Sequence, residues 1–290
     1  MSDPLPLHKV NVQADDGHRW QLLTILPKHP QSQLLWLPAM GVAAKHYLPF
    51  AEALAARGVA VFLHEWRGNG SSSLRSSHTT DWGYREVLTH DLSASEAVMA
   101  TQFEGLPRII GGHSLGGQLA CCRLGLSPRP SAEKHRQRLW LVASGAPYWR
   151  ACPLPARVVF PLAFRFLPWL ADRRGYLPGR RLRFAGNEAR GVIHDWARSG
   201  LSGCYAAQGL DRDLEAAMGD VDCETRAIAL AHDWLAPESS MRFLLSKLPR
   251  SSGIFEVLGN DTLGTHADHF AWMKAPTAVA EALLRPSLPG

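Results

Sequence analysis

Short apolar runs alternate with longer segments of helical spacing along most of this chain, and that alternation constrains the fold more than any other feature. Runs at residues 21–26, 34–37, 59–63, 108–110, 139–143, 227–231 and 254–258 are each too short for a helix and sit between turn-forming residues, so they read as strands. Between them lie helical patterns. Residues 46–57 place Leu48, Ala51, Leu54 and Ala55 on one face and stop at Gly58. Residues 81–101 carry Val87, Leu88, Leu92, Ala97 and Val98 at helical spacing, and residues 115–124 form a third helix that is expected to stop at Gly125. Strands joined through helices pair in parallel by crossover connections, which predicts an α/β fold.

The rhythm fails between about residues 148 and 226. Prolines 153, 155, 161, 168 and 178 interrupt a stretch rich in Arg, Trp, Phe and Leu with no alternating strand pattern. It reads as an irregular, largely helical insertion. The domain expectation is therefore one α/β core built from residues 1–147 and 226–290, with residues 148–225 inserted as a helical lid; 290 residues suit one such unit.

Charge separates the two parts. The chain carries a net +5, yet residues 150–200 alone hold ten arginines (150, 157, 165, 173, 174, 180, 181, 183, 190 and 198), no lysine and three acids, Asp172, Glu188 and Asp195. That segment is +7 and the remainder −2. Such a surface attracts anionic ligands without choosing among them. No lysine-rich stripe or recognition motif accompanies it, so nucleic acid is not an expected partner.

Composition excludes other classes. At 46% hydrophobic and 20% charged residues the chain is not disordered. No apolar run reaches the roughly 18–20 residues that a membrane span needs, and the N-terminus lacks the layout of a secretory signal. Stable membrane insertion is not expected. Five cysteines without a CxxC spacing read as buried thiols in a reducing cytoplasm. No phosphate-binding or dinucleotide-binding glycine motif occurs, so no cofactor is expected.

The chemistry concentrates at Gly112-His113-Ser114-Leu115-Gly116, a GxSxG that follows a strand run and opens a helix. The turn must be sharp enough to lift one side chain above the sheet, and small residues two positions either side let neighbouring backbone pass. The helix N-terminus then presents partial positive charge to a developing oxyanion. Ser114 is the expected nucleophile.

A serine hydroxyl needs a general base held by an acid. In a strand–turn–helix nucleophile architecture the chain order is serine, acid, histidine. Asp233 directly follows the run at 227–231, and the run at 254–258 leads to a loop carrying both His266 and His269. His269 is the preferred base because Phe270-Ala271-Trp272 follows it and places it at a loop end; His266 is the rival. Their HxxH spacing lacks the glutamate of HExxH and any acidic ligand cluster, so no metal is expected. Asp261 and Asp268 lie on the histidine loop itself and read as capping or solvated carboxylates. The small-residue turn Leu37-Pro38-Ala39-Met40-Gly41 offers the N–H of Met40, which with the N–H of Leu115 would make a two-donor oxyanion hole. The Met40 side chain suits either core packing or a pocket wall.

With these motifs in place the chain resembles the α/β-hydrolase superfamily over nearly its whole length. Residues 65–72 (EWRGNGSS) resemble that superfamily's turn after the fourth strand, with Glu65 where aspartate is usual. Pro38–Tyr47, the turn from Asp233 to Pro237, and His269-Phe270 fall at its oxyanion strand, acid and base; Pro38-Ala39 stands where His-Gly is usual. More narrowly, Gly175 to Arg181 and Arg190 to Arg198 resemble the lid of a bacterial group of predicted serine α/β hydrolases of unassigned substrate. The resemblance implies an eight-stranded, mostly parallel sheet flanked by helices with a lid after strand 6, and a serine hydrolase that cleaves a small-molecule carboxylic ester or thioester through an acyl-enzyme on Ser114. Other acyl-transfer or carbon–carbon hydrolase chemistry on the same residues, or a non-catalytic binding protein on the same fold, are the alternatives, since fold alone does not fix the reaction. Oligomeric state is not encoded in any of these features.

Overall fold

The computed structural model describes residues 5–127, 136–182 and 184–285. Arg183, one of the ten arginines, lies outside them. The chain runs through β1 (Leu7–Gln13), β2 (Arg19–Ile25), β3 (Ser32–Leu37), α1 (Leu48–Ala55), β4 (Val59–Leu63), α2 (Leu92–Gln102), β5 (Arg108–His113), α3 (Leu115–Leu126) and β6 (Gln137–Val142). It then leaves the sheet for α4 (Ala156–Arg174), β7 (Tyr176–Pro178), β8 (Asn187–Ala189), α5 (Arg190–Ser202) and α6 (Leu214–Gly219). It returns through β9 (Cys223–Leu230), α7 (Glu238–Leu245), β10 (Ser252–Leu258) and α8 (Thr277–Leu284).

Eight strands form one sheet in the order β1-β2-β4-β3-β5-β6-β9-β10. β2 runs antiparallel to both β1 and β4, and every other pair is parallel. This is an α/β architecture with helices on both faces, and the strand sequences show why. In β3, Leu34 and Trp36 face one core while Leu35 and Leu37 face the other, and all four are fully buried. A strand covered on both sides reads as an unbroken apolar run. One core packs Trp36, Tyr47 and Phe50 against Trp272 under α1 and α8; the other packs Phe62, Leu119 and Met218 under the opposite helices.

Four local expectations need correction. β1 has no matching run, because its sequence LHKVNVQ is exposed along most of an edge strand; its pairing with β2 and the buried Val12 hold it. Helix α3 does not stop at Gly125 but passes through to Leu126. A Cβ there would lie 2.8 Å from the Ala217 carbonyl carbon, so this glycine serves close approach of α6. Pro161 and Pro168 do not break α4. Each removes one helical hydrogen bond, but Phe164, Pro168 and Ala171 are buried inward and hold the helix together by packing. The inserted stretch also contains strands after all, the three-residue hairpin β7–β8.

Candidate active site

β5 ends at His113, and Ser114 follows with φ +54° and ψ −122°, a conformation that side-chain-bearing residues rarely occupy. The surroundings enforce it. The Ser114 N–H donates to the Val142 carbonyl at 3.2 Å, and Ser144 Oγ donates to the Gly112 carbonyl at 3.0 Å, so the end of β6 straps the turn down. A Cβ at Gly112 would sit 2.3 Å from the Gly116 carbonyl carbon, and one at Gly116 would sit 2.1 Å from the Leu37 carbonyl oxygen. The two glycines therefore let the elbow close on itself and let the β3 turn press against it. Ser114 is left half-buried at the carboxyl end of the sheet.

Asp233 and His269 meet there from two other strand ends. Asp233 follows β9, and its Oδ1 accepts the N–H groups of Leu235 and Ala236, both at 2.9 Å. That leaves Oδ2 to take His269 Nδ1 at 2.7 Å, with both side chains buried. The acceptor-only carboxylate fixes the His269 proton on Nδ1 and leaves Nε2 as the acceptor. The His269 ring lies 4.7 Å, centroid to centroid, from that of His113, the residue before Ser114. Behind it, Trp272 Nε1 donates to the His269 carbonyl at 3.1 Å.

His266 does not join them. It is exposed, stacks on His232 and pairs with Asp268 at 3.3 Å. Asp268 Oδ1 caps the turn by accepting the N–H groups of Phe270 and Ala271, whereas Asp261 is exposed in a separate helical turn, Asn260–Leu263, before that loop. Among the described residues no group of His, Cys, Asp or Glu has the geometry to hold a metal. The five cysteines are free thiols, of which Cys204 is exposed and the other four are buried.

Tyr47, Trp66 and Glu65 hold the β3 turn and the segment after it, contacts that the sequence motifs alone do not show. Tyr47 Oη accepts the Ala39 N–H and contacts His113 Nδ1, both at 2.8 Å. Burial pushes the Tyr47 phenol above its usual range, so it keeps its proton. Burial, with His269 second, holds the His113 imidazole well below its ordinary value, so it is neutral. The phenolic proton therefore goes to His113 Nδ1. Trp66 Nε1 donates to the Pro38 carbonyl at 2.9 Å, and Glu65 Oε1 accepts the Ala44 N–H at 3.1 Å, which gives Glu65 a structural place in this turn. Met40 is half-buried, and its side chain packs both on the main core and on the cluster formed by Ala171, Leu177 and Ile193 in the inserted segment. Among the described residues neither the Met40 nor the Leu115 N–H finds an acceptor.

Tyr47→Phe tests this bracing. The change strands a buried N–H and a buried imidazole nitrogen, each worth about 1–3 kcal/mol when unsatisfied. A melting midpoint lowered by several degrees is the expected result, and an unchanged midpoint would show that the Ala39 turn does not depend on the phenol.

A serine–histidine–aspartate chain of hydrogen bonds lies elsewhere. His18 contacts Asp91 through Nδ1 and Ser72 through Nε2, both at 2.9 Å. Ser72 Oγ already accepts the N–H groups of Gly68 and Leu74, and Asp91 carries a two-bond salt bridge from Arg67. The serine is buried with its lone pairs engaged, so this group clips loops together.

The family model described as Hydrolase_4, serine aminopeptidase S33, matches residues 28–188, more than half of the chain. The chain belongs to this α/β-hydrolase family. No curated protein matches it. Solved structures of similar fold include a thermophilic esterase from Thermogutta terrifontis. It is 15% identical, with a TM-score of 0.62 over 95% of this chain and 96% of that one. The thioesterase domain from the curacin biosynthetic pathway is 16% identical, with a TM-score of 0.62 over 97% and 100%. A hydrolase from Pseudomonas aeruginosa is 19% identical, with a TM-score of 0.55 over 98% of each chain. At these identities the likeness is one of fold. As an α/β hydrolase the chain is a hydrolase by family, and its bond specificity has to be argued from the site.

Proposed function

We propose that this α/β hydrolase is a serine hydrolase that cleaves a small-molecule carboxylic ester or thioester through an acyl-enzyme on Ser114. The observation that carries the reading is the buried Asp233–His269 pair at 2.7 Å, set against the His113–Ser114 elbow. Ser114 Oγ attacks the acyl carbonyl while His269 Nε2 takes its proton. Asp233 keeps the other imidazole nitrogen protonated and stabilises the imidazolium. The free N–H groups of Met40 and Leu115 receive the oxyanion. His269 returns its proton to the departing alcohol or thiol, then activates the water that releases the acid.

Residues 148–225 serve as the lid of this site. Support comes from Met40, which packs on Ala171, Leu177 and Ile193, and from Gly41, whose Cα lies 2.8 Å from where a Cβ at Gly186 would be. Glu188, in the same hairpin, is buried with its carboxyl pushed up to about 7 by that burial, and it accepts the Gly186 N–H at 3.0 Å. Free thiols suit a reducing compartment, and we place the protein in the cytoplasm.

A fluorophosphonate probe tests the nucleophile without knowledge of the substrate. The expected result is a single adduct that peptide mass mapping assigns to Ser114 and that Ser114→Ala lacks. An adduct on another serine, or none on a folded protein, would sink the assignment.

A further inference from the structure

Helix α4 is apolar on two faces, and only one of them is used. Its inward face buries Phe164, Pro168 and Ala171. Its outward face repeats at helical spacing through Val158, Leu162, Phe166 and Trp169, which are 62%, 67%, 53% and 51% exposed. A helix that only covered a core would be polar on this side. Its 19 residues extend about 28 Å, so the stripe is long as well as apolar. Phe166 and Trp169 pack on each other with ring centroids 5.6 Å apart, which presents one continuous aromatic surface.

Arginines lie on and around that stripe. Arg165 and Arg173 share its face by spacing, and Arg157 stands near its start. Among the described residues they contact rings and a carbonyl, not carboxylates: Arg173 lies over Trp169 at 5.2 Å, Arg157 over Trp149 at 5.9 Å, and Arg165 donates to the Pro161 carbonyl. Asp172, at the edge of the stripe, is engaged by His194 at 2.9 Å.

We propose that this face of α4 docks on the surface of an anionic phospholipid membrane. The charge arrangement selects that occupant. A second copy meeting the first through the same stripe would set arginine against arginine, because a two-fold contact matches a patch with itself. An anionic headgroup layer instead pairs with the guanidinium groups while aliphatic and aromatic side chains enter the acyl boundary, where Trp is favoured. No helix among the described residues is long and apolar enough to cross a membrane, so the attachment is peripheral. The start of α4 lies at the carboxyl end of the sheet, tied through Ala151 to Ser239 of α7. Exposed Trp234 and Phe270, beside Asp233 and His269, lie at that same end. Docking does not depend on the chemistry assigned to Ser114, and its test reads no activity.

Sedimentation of the full chain with vesicles is that test. Vesicles of phosphatidylcholine mixed with phosphatidylglycerol are expected to bind it about tenfold or more tightly than phosphatidylcholine alone, and added salt should reverse the gain. The combined change Leu162→Ser, Phe166→Ser and Trp169→Ser should abolish binding. Arg165→Gln with Arg173→Gln should weaken it by roughly 25-fold, about a fivefold loss per charge near the surface. Because these arginines are exposed, the second variant should melt at the parent temperature, which keeps the test valid if the first fails to fold. Equal binding to neutral vesicles, or no vesicle binding at all, would overturn the proposal. So would a dimer in sedimentation equilibrium that the triple substitution dissociates.

Discussion

Ser114→Ala, His269→Ala and the double variant are expected to share one residual rate, about 10^5- to 10^6-fold below the parent kcat on an activated ester. The equality matters more than the size. His269 helps only by taking a proton from Ser114, and Ser114 is a useful nucleophile only while His269 takes it, so losing either loses the unit. What remains is the rate that substrate binding and the Met40 and Leu115 N–H groups supply alone. Asp233→Asn should cost less, on the order of 10^4, because the imidazole is still present but held as the wrong tautomer. The geometry supports that ranking: Asp233 Oδ1 is anchored by two main-chain N–H groups, so an amide can take the same place and present its NH2 to His269 Nδ1. The check is steady-state kinetics on a nitrophenyl ester with a mass-verified protein. Losses that add in the double variant, or a Ser114→Ala protein that still turns over at the parent rate, would mean that the serine and histidine do not act together.

Much of this site is legible in the sequence because its parts are local. The elbow needs glycine at 112 and 116, and the contacts of those two positions with Leu37 and each other's backbone are short enough that the pattern shows through. Asp233 directly follows the unbroken apolar run at 227–231, so its position at a strand end is legible too, whereas the run before His269 carries Glu256 and ends well before the histidine. Choosing His269 over His266 rests on the apolar residues after it, and Trp272 is indeed the buried anchor beneath the loop. What the sequence hides is long-range. Tyr47 is one tyrosine in a helical pattern until the fold sets it between Ala39 and His113. Gly125 carries a stop signal in isolation, and only the approach of α6 shows it to be a packing residue. Prolines in α4 signal a break, and tertiary packing of Phe164 and Ala171 outweighs the two lost hydrogen bonds. β1 carries little apolar periodicity since it lies at the sheet edge with most of its residues exposed.

Asp91→Ala is expected to destabilise the fold by about 3–5 kcal/mol, the cost of leaving a buried charge without its main partner. Arg67 is almost wholly buried, and it donates Nε to Asp91 Oδ2 at 2.7 Å and Nη2 to Oδ1 at 2.8 Å. Without Asp91 it keeps, among the described residues, only Asp16 as a carboxylate partner, at 2.6 Å and partly in solvent. For a chain of this size that loss corresponds to a melting midpoint lower by about 10 °C. Asp91→Asn keeps the shape and removes the charge, which makes its pH dependence informative. Burial alone would raise the Asp91 pKa, but hydrogen bonds from His18 and Arg67 outweigh it and hold the carboxyl below its ordinary 3.8. A folded pKa below the unfolded one gives stability that is fully present above about pH 4 and is lost as the pH falls through the folded value. The parent should therefore exceed Asp91→Asn most at neutral pH, and the gap should close as the pH drops below about 4. Melting curves that stay parallel down to acid pH would show that the carboxylate charge is not what holds this cluster. The cluster joins the turn before β2, the turn after β4 and the segment leading into α2. The turn after β4 also carries Trp66, whose indole N–H holds the Pro38 carbonyl. The Met40 turn is thus linked to a charge network outside the Asp233–His269 pair, and a variant that loosens the network reaches the proposed oxyanion donors through stability before it reaches them through chemistry.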